Sequence, residues 1–128
     1  MRLLLDTHAL IWLAEDSPRL GRRAAEAIAS EANEVVVSSV SAMEITLKVR
    51  LGKLPNAEPL ARAFEREILA AGFIPLPITL AHAALAGGLE IPHKDPFDRL
   101  LIAQAMVEDL TLVSNETIFD GFGVKRLW

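Results

Sequence analysis

Cysteine is absent from the 128-residue sequence. This absence excludes a disulfide framework, a zinc site made of thiolates and a thiol nucleophile, and it is compatible with a reducing compartment. Long hydrophobic runs are also absent. The first apolar run is interrupted by Asp6, which makes it too short for a signal peptide or a membrane span. We therefore expect a cytoplasmic protein that does not enter a membrane.

The sequence has no excess of positive charge. Its 13 Lys and Arg residues are outnumbered by 17 Asp and Glu residues, which gives a formal net charge of -4. This charge argues against a protein that holds nucleic acid mainly through a diffuse basic surface. If RNA or DNA is the substrate, bound metal ions and local basic residues must offset the charge of the phosphates.

Hydrophobic residues make up 52% of the sequence, which at this length predicts one domain, over residues 1–128, with a sizeable core. The predicted strands cover residues 2–6, 34–39, 73–78, 111–114 and 124–128. The predicted helices cover residues 7–15, 41–51, 80–89 and 97–108, with a further helix from Pro18 and another that carries Leu60, Phe64 and Ile68. This alternation predicts an α/β fold with a parallel sheet and helices on both faces. Prolines in the third strand place it at a sheet edge.

Acidic residues occur where these hydrophobic elements begin or end. Asp6 ends the first strand, Glu44 lies in the segment SSVSAMEI after the second strand, and Glu116 follows the strand LVS. Asp95 and Asp98 lie in HKDPFDR, at the start of a helix. Ligands of open parallel sheets bind beyond the carboxyl ends of the strands, so these distant residues are expected to meet there. Converging carboxylates are the ligands that hard divalent metal ions require.

Several of the acidic residues also have a purely structural explanation. Ser41 and Glu44 have the spacing of a capping box, and Glu44 is also placed to pair with Lys48 one turn later. Asp95 is suited to cap a helix whose first position is Pro96. These explanations compete with a role in metal binding.

Asp6 is more difficult to explain in this way. A carboxylate at the end of a buried strand needs a partner, and no nearby basic residue supplies one. Glu116, by contrast, fits a solvated turn, and Asp98 fits the positive end of a helix dipole. A bound metal ion would satisfy Asp6.

The combination and order of these motifs resemble the PIN-domain family and, within it, the VapC-type toxin ribonucleases of type II toxin-antitoxin systems. The resemblance extends from the first residue to the last and is carried by LLLDTHALIW, SSVSAMEI, HKDPFDRLLIAQA and TLVSNETIF. It implies a three-layer αβα sandwich with a central, mainly parallel sheet. It also implies that Asp6, Glu44, Asp98 and Glu116 are catalytic and bind metal. The fourth position is often aspartate in this family, whereas here it is Glu116. Asp120 is a less suitable alternative for that position.

The implied ligands predict the chemistry. Carboxylate oxygens suit Mg2+ or Mn2+, and a set without His or Cys argues against zinc. Such an ion would activate a water molecule and neutralise charge on the phosphate, so that an RNA phosphodiester bond is hydrolysed without a covalent intermediate. The residues predicted to orient the ligands are Thr7, Ser38, Asp95 and Asn115. The residues predicted to contact RNA are Lys48, Lys94 and Arg99, although a solvated helix face explains each equally well.

The resemblance also implies two protein partners. One is a second copy of the chain, in a homodimer, and the other is a cognate VapB-like antitoxin whose tail occupies the active-site groove. The helices that contain Trp12 and Phe64 are candidate contact surfaces, although burial in the core is the ordinary fate of such residues.

Four alternatives remain open at this point. A mixed His/Asp metal centre would use His8 or His93, but His8 is expected to point away from Asp6, and His82 has no acidic neighbour. A phosphatase or receiver domain that forms an aspartyl phosphate usually has an aspartate where this chain has His8. The other two are a catalytically weak PIN-fold binding module and a housekeeping RNA-processing nuclease without an antitoxin.

Overall fold

Five short strands form one sheet in the computed structural model, which describes residues 1–128. They are β1 (Arg2–Leu5), β2 (Glu34–Ser38), β3 (Ile74–Leu76), β4 (Thr111–Val113) and β5 (Lys125–Leu127). The order across the sheet is β3-β2-β1-β4-β5, and every neighbouring pair is parallel. The predicted parallel sheet is confirmed, and the proline-containing strand β3 lies at an edge as expected.

Seven α-helices connect and cover the strands. They are α1 (Thr7–Ala14), α2 (Arg22–Ala29), α3 (Ser39–Arg50), α4 (Glu58–Arg62), α5 (Phe64–Ala70), α6 (Leu80–Gly88) and α7 (Pro96–Val107). Two 3-10 turns, Pro55–Ala57 and Thr117–Phe122, complete the chain. None of the helices is long and apolar enough to cross a membrane.

The sheet separates two hydrophobic clusters, because successive side chains of a strand point to opposite faces. Leu3 and Leu5 of β1 pack in the larger cluster, whereas Leu4 packs in the other. Helices therefore cover both faces, and the predicted three-layer αβα architecture is confirmed. A strand that is buried on both faces reads as a continuous apolar run rather than an alternating one, as β1 does.

Helix α3 begins earlier than the sequence predicts. Its N-cap is Ser38, whose backbone is extended (φ -80, ψ 147) and whose hydroxyl group accepts a hydrogen bond from the Val40 N–H at 2.9 Å. Ser41 lies inside the helix, where its hydroxyl group is 3.1 Å from that of Thr7. The capping box predicted for Ser41 and Glu44 is therefore wrong, because Ser38 already caps the helix where β2 ends.

Two other boundaries differ from the prediction. Helix α2 begins at position 22 rather than at Pro18, after Gly21, which has an extended ψ of 145. A Cβ atom at Gly21 would lie 2.9 Å from Nε1 of Trp128, so the indole packs directly on the backbone there. The single helix predicted around positions 60–68 is two helices, because Ala63 leaves the helical conformation (φ -134, ψ 41).

The double role of Ser38 generates a prediction about stability. Besides capping α3, its hydroxyl group donates to Oε1 of the fully buried Gln104 at 2.5 Å. Ser38→Ala removes the cap and leaves a buried acceptor without its donor, so we expect the free energy of unfolding to fall by about 2 kcal/mol. Ser39→Ala, at the neighbouring exposed serine, is the matched control and should change it by less than about 0.5 kcal/mol. Urea denaturation measures both, and equal effects would contradict the assignment.

Candidate active site

The carboxyl ends of the three central strands meet at one edge of the sheet. Strand β1 lies between β2 and β4, and all three are parallel. Asp6 directly follows β1, Ser38 ends β2 and Ser114 directly follows β4. The backbone N–H of Asp6 donates to the carbonyl group of Val113 at 3.1 Å, which extends the pairing of β1 and β4 to this edge.

Asp6 is buried at this edge, with 4% of its surface exposed. It is the N-cap of α1, and its carboxylate accepts a hydrogen bond from the Ala9 N–H at 2.8 Å. Burial raises the pKa of Asp6 from 3.8 to about 6, against the opposing effects of the nearby Ser114 side chain, the Ala9 N–H and His8. The charge of Glu116 raises it further. Asp6 therefore has a neutral donor but no cation in contact with it.

Asp98 and Glu116 belong to the same charged cluster as Asp6. Asp98 lies in the first turn of α7, and burial raises the pKa of its carboxyl group. A hydrogen bond from His93, with Nε2 and Oδ2 2.7 Å apart, lowers this pKa, whereas the charges of Asp95 and Glu116 raise it. Glu116 therefore acts on both Asp6 and Asp98 and links the two carboxylates through its own charge.

Glu44 is the fourth acidic residue, and it carries its own counter-ion. Its carboxylate is buried and lies 2.5 Å from Nζ of Lys48, one turn later on α3. The contact between the hydroxyl groups of Thr7 and Ser41 joins the first turns of α1 and α3. Thr7 is next to Asp6 and Ser41 lies one turn before Glu44, so this contact brings the two acidic segments together. The predicted pairing with Lys48 is confirmed.

The chemistry of this donor set fits a divalent cation. All four candidate ligands are carboxylates, and a cation would offset the like charge that Glu116 exerts on Asp6 and on Asp98. No group of three or more His, Cys, Asp or Glu side chains is placed so that it could hold a metal ion by itself. Mg2+ does not require such a set, because it is usually held by one or two carboxylates and completes its shell with water and substrate phosphate. The edge of the sheet is thus suited to an open metal site.

Residues 3–125 match the family model of the PIN domain. The chain belongs to the PIN-domain family. PIN domains are nucleases that generally use divalent metal ions, so the family places this chain among the hydrolases that act on nucleic acid. Comparison with curated protein sequences finds no match.

Solved structures share the fold of this PIN domain over nearly its whole length. VapBC2 from Rickettsia felis, bound to a DNA fragment from its promoter, has a TM-score of 0.72 and 16% identity, covering 99% of this chain and 98% of that chain. FitAcB from Neisseria gonorrhoeae has a TM-score of 0.68 and 25% identity, covering 98% and 96%. A toxin-antitoxin complex from Klebsiella pneumoniae has a TM-score of 0.63 and 23% identity, covering 90% and 87%.

The four residues predicted to orient the ligands differ in their surroundings. Thr7 and Ser38 are both buried. The hydroxyl group of Thr7 contacts that of Ser41, and the hydroxyl group of Ser38 caps α3. Asp95 caps α7, as predicted, by accepting hydrogen bonds from the N–H groups of positions 97 and 98 at 2.9 and 3.4 Å. Asn115 is exposed and its side chain forms no hydrogen bond within the chain. None of the four side chains hydrogen bonds to the carboxylate of a candidate ligand, so their predicted role stays a prediction.

The three basic residues predicted to contact RNA also differ. Lys94 is exposed and has no partner within the chain, whereas Lys48 is paired with Glu44. Arg99 is committed to the polypeptide backbone. Its guanidinium group donates at 2.6 to 3.5 Å to the carbonyl groups of Ala86, Gly87, Leu89, Ile91 and His93. It therefore holds the connection between α6 and α7, and few of its donors are free for a phosphate.

Sequence reasoning missed several contacts within this PIN domain. Ser114, whose side chain lowers the pKa of Asp6, was not predicted to act on it, although a serine directly after a strand at the ligand-binding edge is a usable signal. The expectation that His82 has no acidic neighbour is wrong. Its Nε2 lies 3.0 Å from a carboxylate oxygen of Glu108, because α6 packs against α7. Asp120 pairs with Arg126 through two hydrogen bonds, of 2.8 and 3.1 Å, which leaves Glu116 as the better fourth residue.

The raised pKa of Asp6 predicts how stability depends on pH. The folded state holds the Asp6 proton up to a pKa of about 6, whereas the unfolded chain releases it near 3.8. The stabilisation is therefore complete below pH 3.8 and is lost as the pH rises through 6, by on the order of 3 kcal/mol. Asn is also a good N-cap, so Asp6→Asn should keep the cap and remove this loss. In chelator, the variant should gain stability over the wild type between pH 4 and pH 7.5.

Denaturant unfolding at a series of pH values measures this difference. Asp109→Asn is the control, because that carboxylate is exposed, lies before β4 at the opposite edge of the sheet from the site, and pairs only with Lys125. If the difference in free energy of unfolding between Asp6→Asn and wild type does not change with pH, the pKa of Asp6 is not raised in the folded state.

Proposed function

We propose that the chain is a metal-dependent endoribonuclease that hydrolyses RNA phosphodiester bonds and acts as the toxin of a toxin-antitoxin pair. The observation that carries this proposal is the burial of Asp6 at the carboxyl edge of the sheet, with no Lys or Arg paired to it and with the charge of Glu116 acting on both Asp6 and Asp98. The PIN family supports nuclease activity. The likeness of the four motifs to those of VapC-type toxins supports RNA as the substrate.

In this proposal Asp6, Glu44, Asp98 and Glu116 hold Mg2+ or Mn2+ through carboxylate oxygens. When bound, the ion supplies an activated water molecule and neutralises the charge that develops on the phosphate. The first turn of α1 fixes the carboxylate of Asp6 through the Ala9 N–H. His93 fixes one oxygen of Asp98 in the same manner. The protein thus keeps ligand positions defined at an edge that is otherwise open to substrate.

The proposed partners are a VapB-like antitoxin and a second copy of the chain. A groove between α1, α4 and α5 supports the first, because its lining is mostly aliphatic and aromatic and would accept an apolar segment: Leu10, Leu13, Leu60, Ile68 and Phe73. Leu80, which is 89% exposed, with Ile78 and Ile74, leaves apolar surface beside the edge strand β3 and supports the second. Trp12 and Phe64 are partly buried against the core.

The nuclease proposal predicts cleavage of a mixed cellular RNA pool by purified protein with Mg2+ or Mn2+ and no cleavage in EDTA. Asp6→Asn, Asp98→Asn and Glu116→Gln should each lower the rate more than about a hundredfold, beyond the losses typical of residues that only orient metal ligands. Asp120→Asn is the matched control, because its carboxylate is bound to Arg126, and it should stay within about threefold of wild type. Gel electrophoresis of the products measures the cleavage rate, and calorimetric titration with Mn2+ measures metal binding.

Two outcomes of this experiment would contradict the proposal. Cleavage that persists in EDTA or in Asp6→Asn would mean that a contaminant or another mechanism is responsible. Absence of both cleavage and Mn2+ binding in the folded protein would favour a PIN-fold binding module.

The toxin proposal predicts that expression of the chain in a bacterial host arrests growth. Asp6→Asn should restore growth at the same protein level, because the catalytic edge is disabled while the N-cap is kept. Co-expression of a small protein encoded next to the gene should also restore it. Growth curves with immunoblots make the comparison. Normal growth in the presence of demonstrated nuclease activity would favour a housekeeping RNA-processing enzyme.

A further inference from the structure

A second groove, with a volume of about 310 Å³, runs along one face of α1. One wall is formed by His8, Trp12 and Glu15, which recur at the spacing of helix turns. The groove is also lined by Arg19 and by Lys53, Leu54 and Pro55 of the segment that follows α3. The groove thus combines two aromatic rings with two cationic side chains.

His8 connects this groove to the candidate active site. Its Nδ1 lies 3.9 Å from a carboxylate oxygen of Glu116. Its ring centroid lies 5.6 Å from that of Trp12, with 37° between the ring planes. The aromatic pair therefore begins beside the carboxylates and leads away from them along α1.

The indole of Trp12 packs against a second tryptophan, Trp128. Trp128 contacts it edge to face, with ring centroids 5.8 Å apart. Trp128 in turn packs directly on Gly21, where a Cβ atom would lie 2.9 Å from Nε1. A ring that is fixed in this way loses little conformational freedom when another flat ring stacks on it.

The cations of the groove are free to meet an anion. The side chains of Arg19 and Lys53 are exposed and form no hydrogen bond or salt bridge within the chain. The chain has a net charge of -4, so these two unpaired cations make the groove locally positive although it lies beside an acidic site. The negative charge of Glu15 reduces the net positive charge of the groove to about one. The groove therefore suits a ligand with few negative charges rather than a densely charged polyanion.

We propose that this groove binds an unpaired nucleobase and the phosphate attached to it, on a single-stranded segment that continues into the carboxylate site. Trp12 and His8 would stack on the base, and Arg19 and Lys53 would contact the phosphate. Aromatic faces with flanking cations are the features that recognise single strands, since the bases of a duplex are not free to stack on protein. The inference rests on the proposed nuclease function and assigns a substrate subsite to it.

Tryptophan fluorescence tests the inference without any need for cleavage. The chain has two tryptophans, so Trp128→Phe leaves Trp12 as the only reporter. A single-stranded RNA hexamer, a DNA hexamer and a duplex of the same length serve as probes, at low salt in EDTA. We expect both single strands to quench the Trp12 emission in a saturable manner and the duplex to leave it unchanged.

Binding of the labelled RNA hexamer, followed by fluorescence anisotropy, measures the contribution of each wall. Trp12→Leu should weaken binding about tenfold, the effect of losing one stacked base. The double variant Arg19→Glu with Lys53→Glu should weaken it further and reduce its dependence on salt. Arg66→Glu is the control, because Arg66 is equally exposed and unpaired but lies on α5, outside the groove. Circular dichroism verifies that each variant is folded.

The possible outcomes separate this inference from the proposed function. Hexamer binding without a change in Trp12 emission, or without an effect of the charge reversal, overturns the subsite, and so does an absence of hexamer binding. Quenching by an apolar helical peptide but by neither hexamer assigns the groove to a protein segment and likewise overturns it. Saturable quenching by a protein that never cleaves RNA supports the subsite and removes the nuclease proposal.

Discussion

Repulsion among carboxylates that a parallel sheet gathers at one edge is the constraint on which the rest of this structure depends. Because adjacent parallel strands end together, residues far apart in sequence are forced into one charged cluster. Each buried carboxylate then needs its own compensation. Asp6 receives it from the first turn of α1, Glu44 from Lys48 and Asp98 from His93. These contacts are partial, since burial still raises the pKa values of Asp6 and Asp98.

The parts of this arrangement that follow from local rules could be predicted from the sequence. The apolar run of β1 and the cap that Asp95 provides for α7 depend on neighbours within a few residues. The order of the acidic motifs also indicated which residues share an edge, since a parallel α/β sheet leaves few alternatives. How the carboxylates are compensated was not predictable, with the exception of the Glu44–Lys48 pair, which lies within one turn of helix.

The remaining errors come from contacts made across the fold. Ser38 and Ser41 are equally good caps by composition, and the choice between them depends on where β2 stops pairing with its neighbours. The acidic neighbour of His82 is 26 positions away and is set by the packing of α6 on α7. The role of Arg99 was missed for the same reason, because side-chain identity does not reveal that backbone carbonyl groups surround it.

A buried line of hydrogen bonds links the edge of the sheet that carries the candidate site to the α6–α7 pair. Ser38 donates to the Oε1 atom of Gln104, and the amide group of Gln104 faces the carbonyl group of Pro77 and the ring of His82 at 3.3 and 3.4 Å. The Nδ1 atom of His82 accepts a hydrogen bond from the Thr79 N–H at 3.0 Å, so its proton lies on Nε2, which faces Glu108. A ring with its proton on Nε2 meets both the Thr79 N–H and Glu108. Because Gln104 lies on the helix that begins with the Asp98 turn, the line ties that helix to the end of β2. Side chains on both elements therefore keep a fixed relation to each other, as the proposed open metal site requires.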